Sequence, residues 1–183
     1  VKYAAALVAF HFMLRSAEYC ARLTGGRFDL DRIIRLMDVT FFLQGVEIFT
    51  HLECADEVEV TLGKQKCSTG GERRRHSASL SCPDLCVVRI LAMLVTKKGR
   101  SARHLPLFTW VRGSTHPGDG VRYHDMRKLA QRAAELCGRC TKDYATHSWR
   151  RGGASAYILA GCSLQSIQLY GRWALLSSLK LYV

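Results

Sequence analysis

The residues best suited to chemistry stand toward the C-terminal end: His147-Ser148-Trp149-Arg150-Arg151-Gly152-Gly153, then Gly171-Arg172-Trp173, then Tyr182. A His and an Arg three positions apart on one helix project from the same face, so His147 and Arg150 can reach one phosphate. Trp173 and Tyr182 are nine residues apart, enough for a short helix that brings the phenol back toward that face. Arginine supplies 19 of the 27 basic residues, and its planar fork grips phosphate oxygens bidentately where an ammonium acts as a point charge. Phosphate is therefore the anion these residues suit.

The whole chain fits that partner. Its 183 residues carry a formal net charge of +12, basic enough to attract a polyanion such as nucleic acid. Apolar residues make up 48% and charged ones 23%, an ordinary globular composition that argues against a disordered or low-complexity chain. Charged and polar residues such as His11, Arg15, Glu18 and Lys97 interrupt the apolar runs. None reaches the ~18 residues of a membrane-spanning helix. Cys82-x3-Cys86 and Cys137-x2-Cys140 have spacings that could make a four-thiolate metal site. Yet Pro83 marks a helix start between the first pair, and the remaining cysteines stand singly among apolar neighbours. Reduced thiols and a reducing compartment, nucleus or cytoplasm, are the expectation, with no metal. The chain begins at Val1 without an initiator Met and is expected to be a piece of a longer protein.

Several elements must position these residues. Leu7, Phe10, Leu14 and Ala17 predict a helix over 3–23, closed by Gly25-Gly26. The β-branched and aromatic stretch from Val39 to His51 predicts strands with a turn at Gly45. Val58, Val60 and Leu62 alternate with Glu59 and Thr61 as in a half-buried strand. A hairpin follows, with a basic tip through Lys64 and Lys66, then Arg73-Arg74-Arg75 and an alternating segment from His76 to Ser81. Pro83-Asp84 opens a helix to Gly99, a loop rich in Gly, Ser, Pro and Arg spans 100–120, and helices follow at 122–137, 147–160, 163–170 and 174–182. The layout is an α+β domain, mainly helical, with a small three-stranded antiparallel sheet.

Taken in order, these motifs resemble the catalytic domain of the tyrosine recombinase (phage integrase) family, and among its branches the recombinases of eukaryotic mobile elements. The likeness covers nearly all of 1–183. In the family, His-x-x-Arg precedes a small-residue helix, Gly-(His or Arg)-(Trp or His) follows, and the nucleophilic Tyr comes about nine residues later. His147, Arg150, Trp173 and Tyr182 fill those positions. A first arginine in Leu-Arg-x-x-Glu context matches Arg15, with Glu18 expected to orient Arg15 or another basic group. A lysine on a β-hairpin matches Lys64, with Lys66 as its rival.

The resemblance implies DNA breakage and rejoining through a 3′-phosphotyrosyl intermediate, in DNA recombination and integration. Arg15 and Arg150 would stabilise the charge on the pentavalent phosphorus, Tyr182 would attack, and His147 would take or orient the phenolic proton. Lys64 would protonate the 5′-oxygen, and Trp173 would offer its indole N–H and buttress the Tyr182 helix. Arg73, Arg74, Arg75, Arg151 and Arg172 are candidate contacts to the DNA backbone, or solvated charges. Neither ATP nor Mg²⁺ is expected. The resemblance also implies double-stranded DNA as partner, a monomer that assembles as a homotetramer on two DNA sites, and further parts absent from this chain: an N-terminal DNA-clamping domain and a helix after the nucleophile. Trp149 stands where the family more often has Leu. Two other functions share much of the pattern: a type IB topoisomerase-like relaxing enzyme, and a DNA-binding module that keeps the fold without turnover.

Overall fold

The computed structural model describes residues 1–21, 23–24, 27–64, 70–99, 103–110 and 119–180. Its centre is α1 (Lys2–His11), whose residues Ala4 to Ala9 are all buried. Small side chains let neighbours close in on every side, and α1 packs against α3 (Val87–Lys98), α4 (Tyr123–Leu136) and α5 (His147–Leu159). The contact with α5 is the closest, because a Cβ on Gly153 would stand 2.2 Å from the Phe10 carbonyl oxygen. Glycine at this position allows the two backbones to touch, and that sets α5 against the end of α1.

The helix expected over 3–23 is broken. α1 ends at His11, Met13 adopts a left-handed backbone with φ 47°, and a short α2 (Ser16–Tyr19) restarts the chain. Glu18 closes the new helix start, its Oε2 accepting from the Arg15 amide at 2.6 Å. The Leu-Arg-x-x-Glu pattern thus forms a helix cap. The break frees the buried Met13 carbonyl to accept from Arg150 and Arg172.

A two-residue pair, β1 (Leu23–Thr24) with β2 (Arg27–Phe28), precedes the main sheet. That sheet has four strands rather than the expected three, antiparallel, in the order β4-β3-β5-β6. The stretch around Gly45 supplies both β3 (Val39–Leu43) and β4 (Val46–Ile48), while β5 (Glu57–Leu62) buries Val58, Val60 and Leu62 as its alternation predicted. Strand β6 is Glu72–Ser77, earlier than the segment expected from His76 to Ser81. Its inward positions are Arg74 and His76, so no apolar alternation marks it.

Those two side chains fasten the sheet to the helices that follow. Arg74 donates to the Leu169 and Tyr170 carbonyls at 3.1 and 3.0 Å and lies over the Tyr170 ring. These carbonyls belong to the last turn of α6 (Leu164–Gly171), where a cation is favoured. His76 Nε2 is 2.7 Å from the Tyr157 hydroxyl of α5, and its ring meets His11, Phe12 and Tyr170 edge-on.

Burial, followed by the neighbouring His11, pushes the pKa of His76 down to about 4. The unfolded chain binds a proton there below about 6.5, while the folded chain resists it until about 4. Unfolding free energy therefore falls as pH drops through that window, by on the order of 3 kcal/mol. Denaturant titrations from pH 7 to pH 4.5 are expected to show this slope in the native sequence and a flatter one in His76→Gln. Equal slopes would refute it.

Later helices lie close to their expected positions, including α7 (Leu176–Lys180). The main core joins α1, α3 and the inner sheet face. A smaller cluster of Met13, Ala154, Ile167, Trp173 and Leu179 lies beneath the motifs of interest.

Candidate functional site

Arg150 lies in the first turns of α5 and is 2% exposed. A buried guanidinium needs acceptors, and two carbonyls provide them: Met13, at the α1–α2 break, accepts from Nη1, and Gly171 accepts from Nη2 at 2.5 Å. The guanidinium carbon stands 3.8 Å from the Trp173 ring centroid, a close cation–π contact. Trp173 is itself 7% exposed and fills the space over Gly171, where a Cβ would come within 1.8 Å of the indole. Gly171 and Trp173 therefore act together, one leaving room for the other.

Arg172 links the early and late halves of the motif set. It caps α6 with a left-handed backbone, φ 64°, a conformation that costs a non-glycine residue about 1–3 kcal/mol. Its side chain is 6% exposed and forms a bidentate ion pair with Glu18, which is 1% exposed. The Arg172 carbonyl accepts from Arg15 Nη2 at 2.8 Å. Arg15 and Arg150 are thus held from adjacent peptide units, at Arg172 and Gly171, although 135 positions separate them in sequence. Arg15 is half-buried and is the more accessible of the two.

This convergence brings together five residues singled out by sequence: Arg15, Glu18, Arg150, Arg172 and Trp173. Glu18 pairs with the Arg172 guanidinium and accepts from the Arg15 backbone amide, not from the Arg15 side chain. Arg172 itself, a candidate DNA contact by sequence, is an internal strut. His147 is the first residue of α5, exposed, on the turn that carries Arg150. Lys64 is exposed just beyond β5, with Nζ 3.6 Å from Asp31 Oδ2, and no contact ties it to the arginines among the described residues. Lys66 and Tyr182 lie outside the described residues, α7 ending two positions short of the tyrosine.

The remaining basic candidates divide. Arg74 faces inward on α6. Arg73 and Arg75 face outward but pair with Glu59 and Glu57 on β5 at 3.3 to 3.6 Å, and Arg75 lies over Phe42. Arg151 is exposed on α5. Sequence reasoning missed the Met13 carbonyl, which only the helix break makes available, and Arg139, which lines the same surface cleft as Arg151. The described cysteines are free thiols, and no cluster of three metal-ligating side chains occurs among the described residues. No helix among them is long and apolar enough to cross a membrane.

No family model and no curated protein sequence matches the chain. Solved structures do. The Tn1549 transposon integrase in complex with transposon right end DNA matches at TM-score 0.52 and 13% identity, over 99% of this chain and 53% of that one. The same integrase in complex with a circular intermediate DNA matches at TM-score 0.51 and 12% identity, over 98% and 53%. This chain thus spans about half the length of those integrase chains. At such identity the likeness is one of fold alone: this chain shares its fold with the matched half of those integrase chains.

Proposed function

We propose that this chain is the catalytic domain of a site-specific DNA recombinase or integrase that breaks and rejoins DNA through Tyr182. One observation carries the reading: two arginines from opposite ends of the chain converge on neighbouring carbonyls, within a fold shared with integrases solved on DNA. Preorganised guanidinium groups stabilise charge that grows on a phosphate in the transition state, and water-poor surroundings strengthen them.

The reaction exchanges one phosphodiester for another. The Tyr182 phenolic oxygen attacks phosphorus, the bond from phosphorus to the 5′-oxygen breaks, and a 3′-phosphotyrosyl link remains. The phenol, with an ordinary pKa of about 10, gives its proton to the His147 imidazole, and the imidazolium so formed returns it in the reverse step. Lys64, or Lys66 beside it, supplies the proton for the 5′-oxygen. Arg15 and Arg150 hold the non-bridging oxygens, and the Trp173 indole keeps Arg150 in place from behind. Bond energy is conserved in the protein–DNA link, so rejoining needs no nucleotide hydrolysis. Double-stranded DNA is the substrate, and a homotetramer on two DNA sites is the assembly in which strands would be exchanged.

The test uses the full reading frame and nicked duplexes cut from the DNA flanking its own coding locus. An SDS-resistant protein–DNA adduct is expected with Tyr182 and none with Tyr182→Phe. Binding without an adduct in the native protein would favour a DNA-binding module that has lost turnover.

A further inference from the structure

Helix α5 has two working faces. Arg150, Gly153 and Ala154 point into the fold, while Ser148, Arg151 and Ser155, spaced three and four apart, line the opposite face. That outer row forms one wall of a cleft of about 600 Å³. The connection from α4 to α5 forms the other wall, bringing Arg139, Asp143 and Tyr144. Clefts of about 300–1,000 Å³ take ligands larger than a single small ion, so the space fits a stretch of sugar and phosphate.

The lining chemistry suits that ligand. Arg139 and Arg151 are both exposed guanidinium groups, and Asp143 leaves the cleft with a net positive charge of one. Tyr144, Ser148 and Ser155 add hydroxyls, which with arginine are common partners of phosphate oxygens. Ser148 Oγ already accepts from the Ala145 amide at 3.0 Å, which fixes the residue in place and leaves its hydroxyl to donate. Location adds a second argument. The cleft begins one residue from Arg150 and on the same helix as His147, so a backbone lying in it continues toward the cleaved phosphate. Of the five arginines the sequence marked for DNA, Arg172 and Arg74 are turned inward and Arg73 and Arg75 pair with glutamates. Arg151 lines this cleft.

We propose that this cleft holds the DNA backbone flanking the cleaved phosphate, with Arg139 and Arg151 each neutralising one phosphate; this rests on the DNA-cleaving function proposed above. Each neutralised phosphate contributes about 0.9 to the slope of log affinity against log salt. Duplex binding by the full-length protein, measured by fluorescence anisotropy across a salt series, is therefore expected to lose about two units of slope in Arg139→Gln/Arg151→Gln. Each single variant loses about one unit, and Arg73→Gln/Arg75→Gln loses none. Deoxynucleoside monophosphate and inorganic phosphate serve as competing probes. An unchanged slope in the double variant overturns the proposal. So does loss of monophosphate binding with duplex binding intact, since the cleft would then serve a small anion. Native protein that binds duplex without salt dependence would overturn the DNA-cleaving function as well, an outcome distinct from a steep native slope that the variants leave untouched.

Discussion

Glu18→Ala is expected to lower the unfolding free energy by about 3–5 kcal/mol, the cost of leaving a buried charge without its partner. Glu18 is 1% exposed and accepts from both Nη atoms of Arg172 and from the Arg15 amide. Removing it strands a guanidinium whose side chain is 6% exposed, and also removes the cap of α2. Domains of ordinary stability have about 5–15 kcal/mol to lose, so the variant approaches the folding threshold. Arg172→Met in the Glu18→Ala background should recover much of the loss, because buried pairs replaced by apolar side chains are often neutral. Denaturant titration of the four proteins in the double-mutant cycle reads the coupling. Additive effects would mean that the pair does not hold the early helix to the α6–α7 turn.

The second large effect is on turnover. Arg150→Lys should slow single-turnover cleavage of a nicked duplex by about 10²–10³, the range seen when a preorganised donor to a developing oxyanion is removed. Lysine keeps the charge but not the fork. It cannot serve the Met13 and Gly171 carbonyls and a phosphate in one plane, and it loses the flat contact with the Trp173 ring. Noncovalent binding should change by no more than about one unit of salt slope. Equal losses in binding and cleavage would assign Arg150 to ground-state binding alone.

What could be seen in the sequence was local. The His-x-x-Arg spacing, the glycine before Trp173, the helices from 122 onward and the alternation of β5 depend on neighbours a few positions away. The break at Met13 was hidden, because the apolar spacing of Leu7, Phe10, Leu14 and Ala17 suits one helix as well as two. Strand β6 was misplaced for a related reason: its inward residues, Arg74 and His76, are polar and are satisfied by α5 and α6. Arg172 looked like a surface charge, since nothing within ten residues of it is acidic. Its partner, Glu18, is 154 positions away. Arg139 carried no motif at all, and only the turn at 141–143 brings it to the same cleft as Arg151.

The most direct measurement is to map the covalent link itself. The full-length protein, trapped on a nicked duplex and digested with protease, should give a single nucleotide-bearing peptide whose modified residue is Tyr182, joined through a 3′-phosphate. A link on another residue, such as the exposed Tyr123, or through a 5′-phosphate would contradict the account.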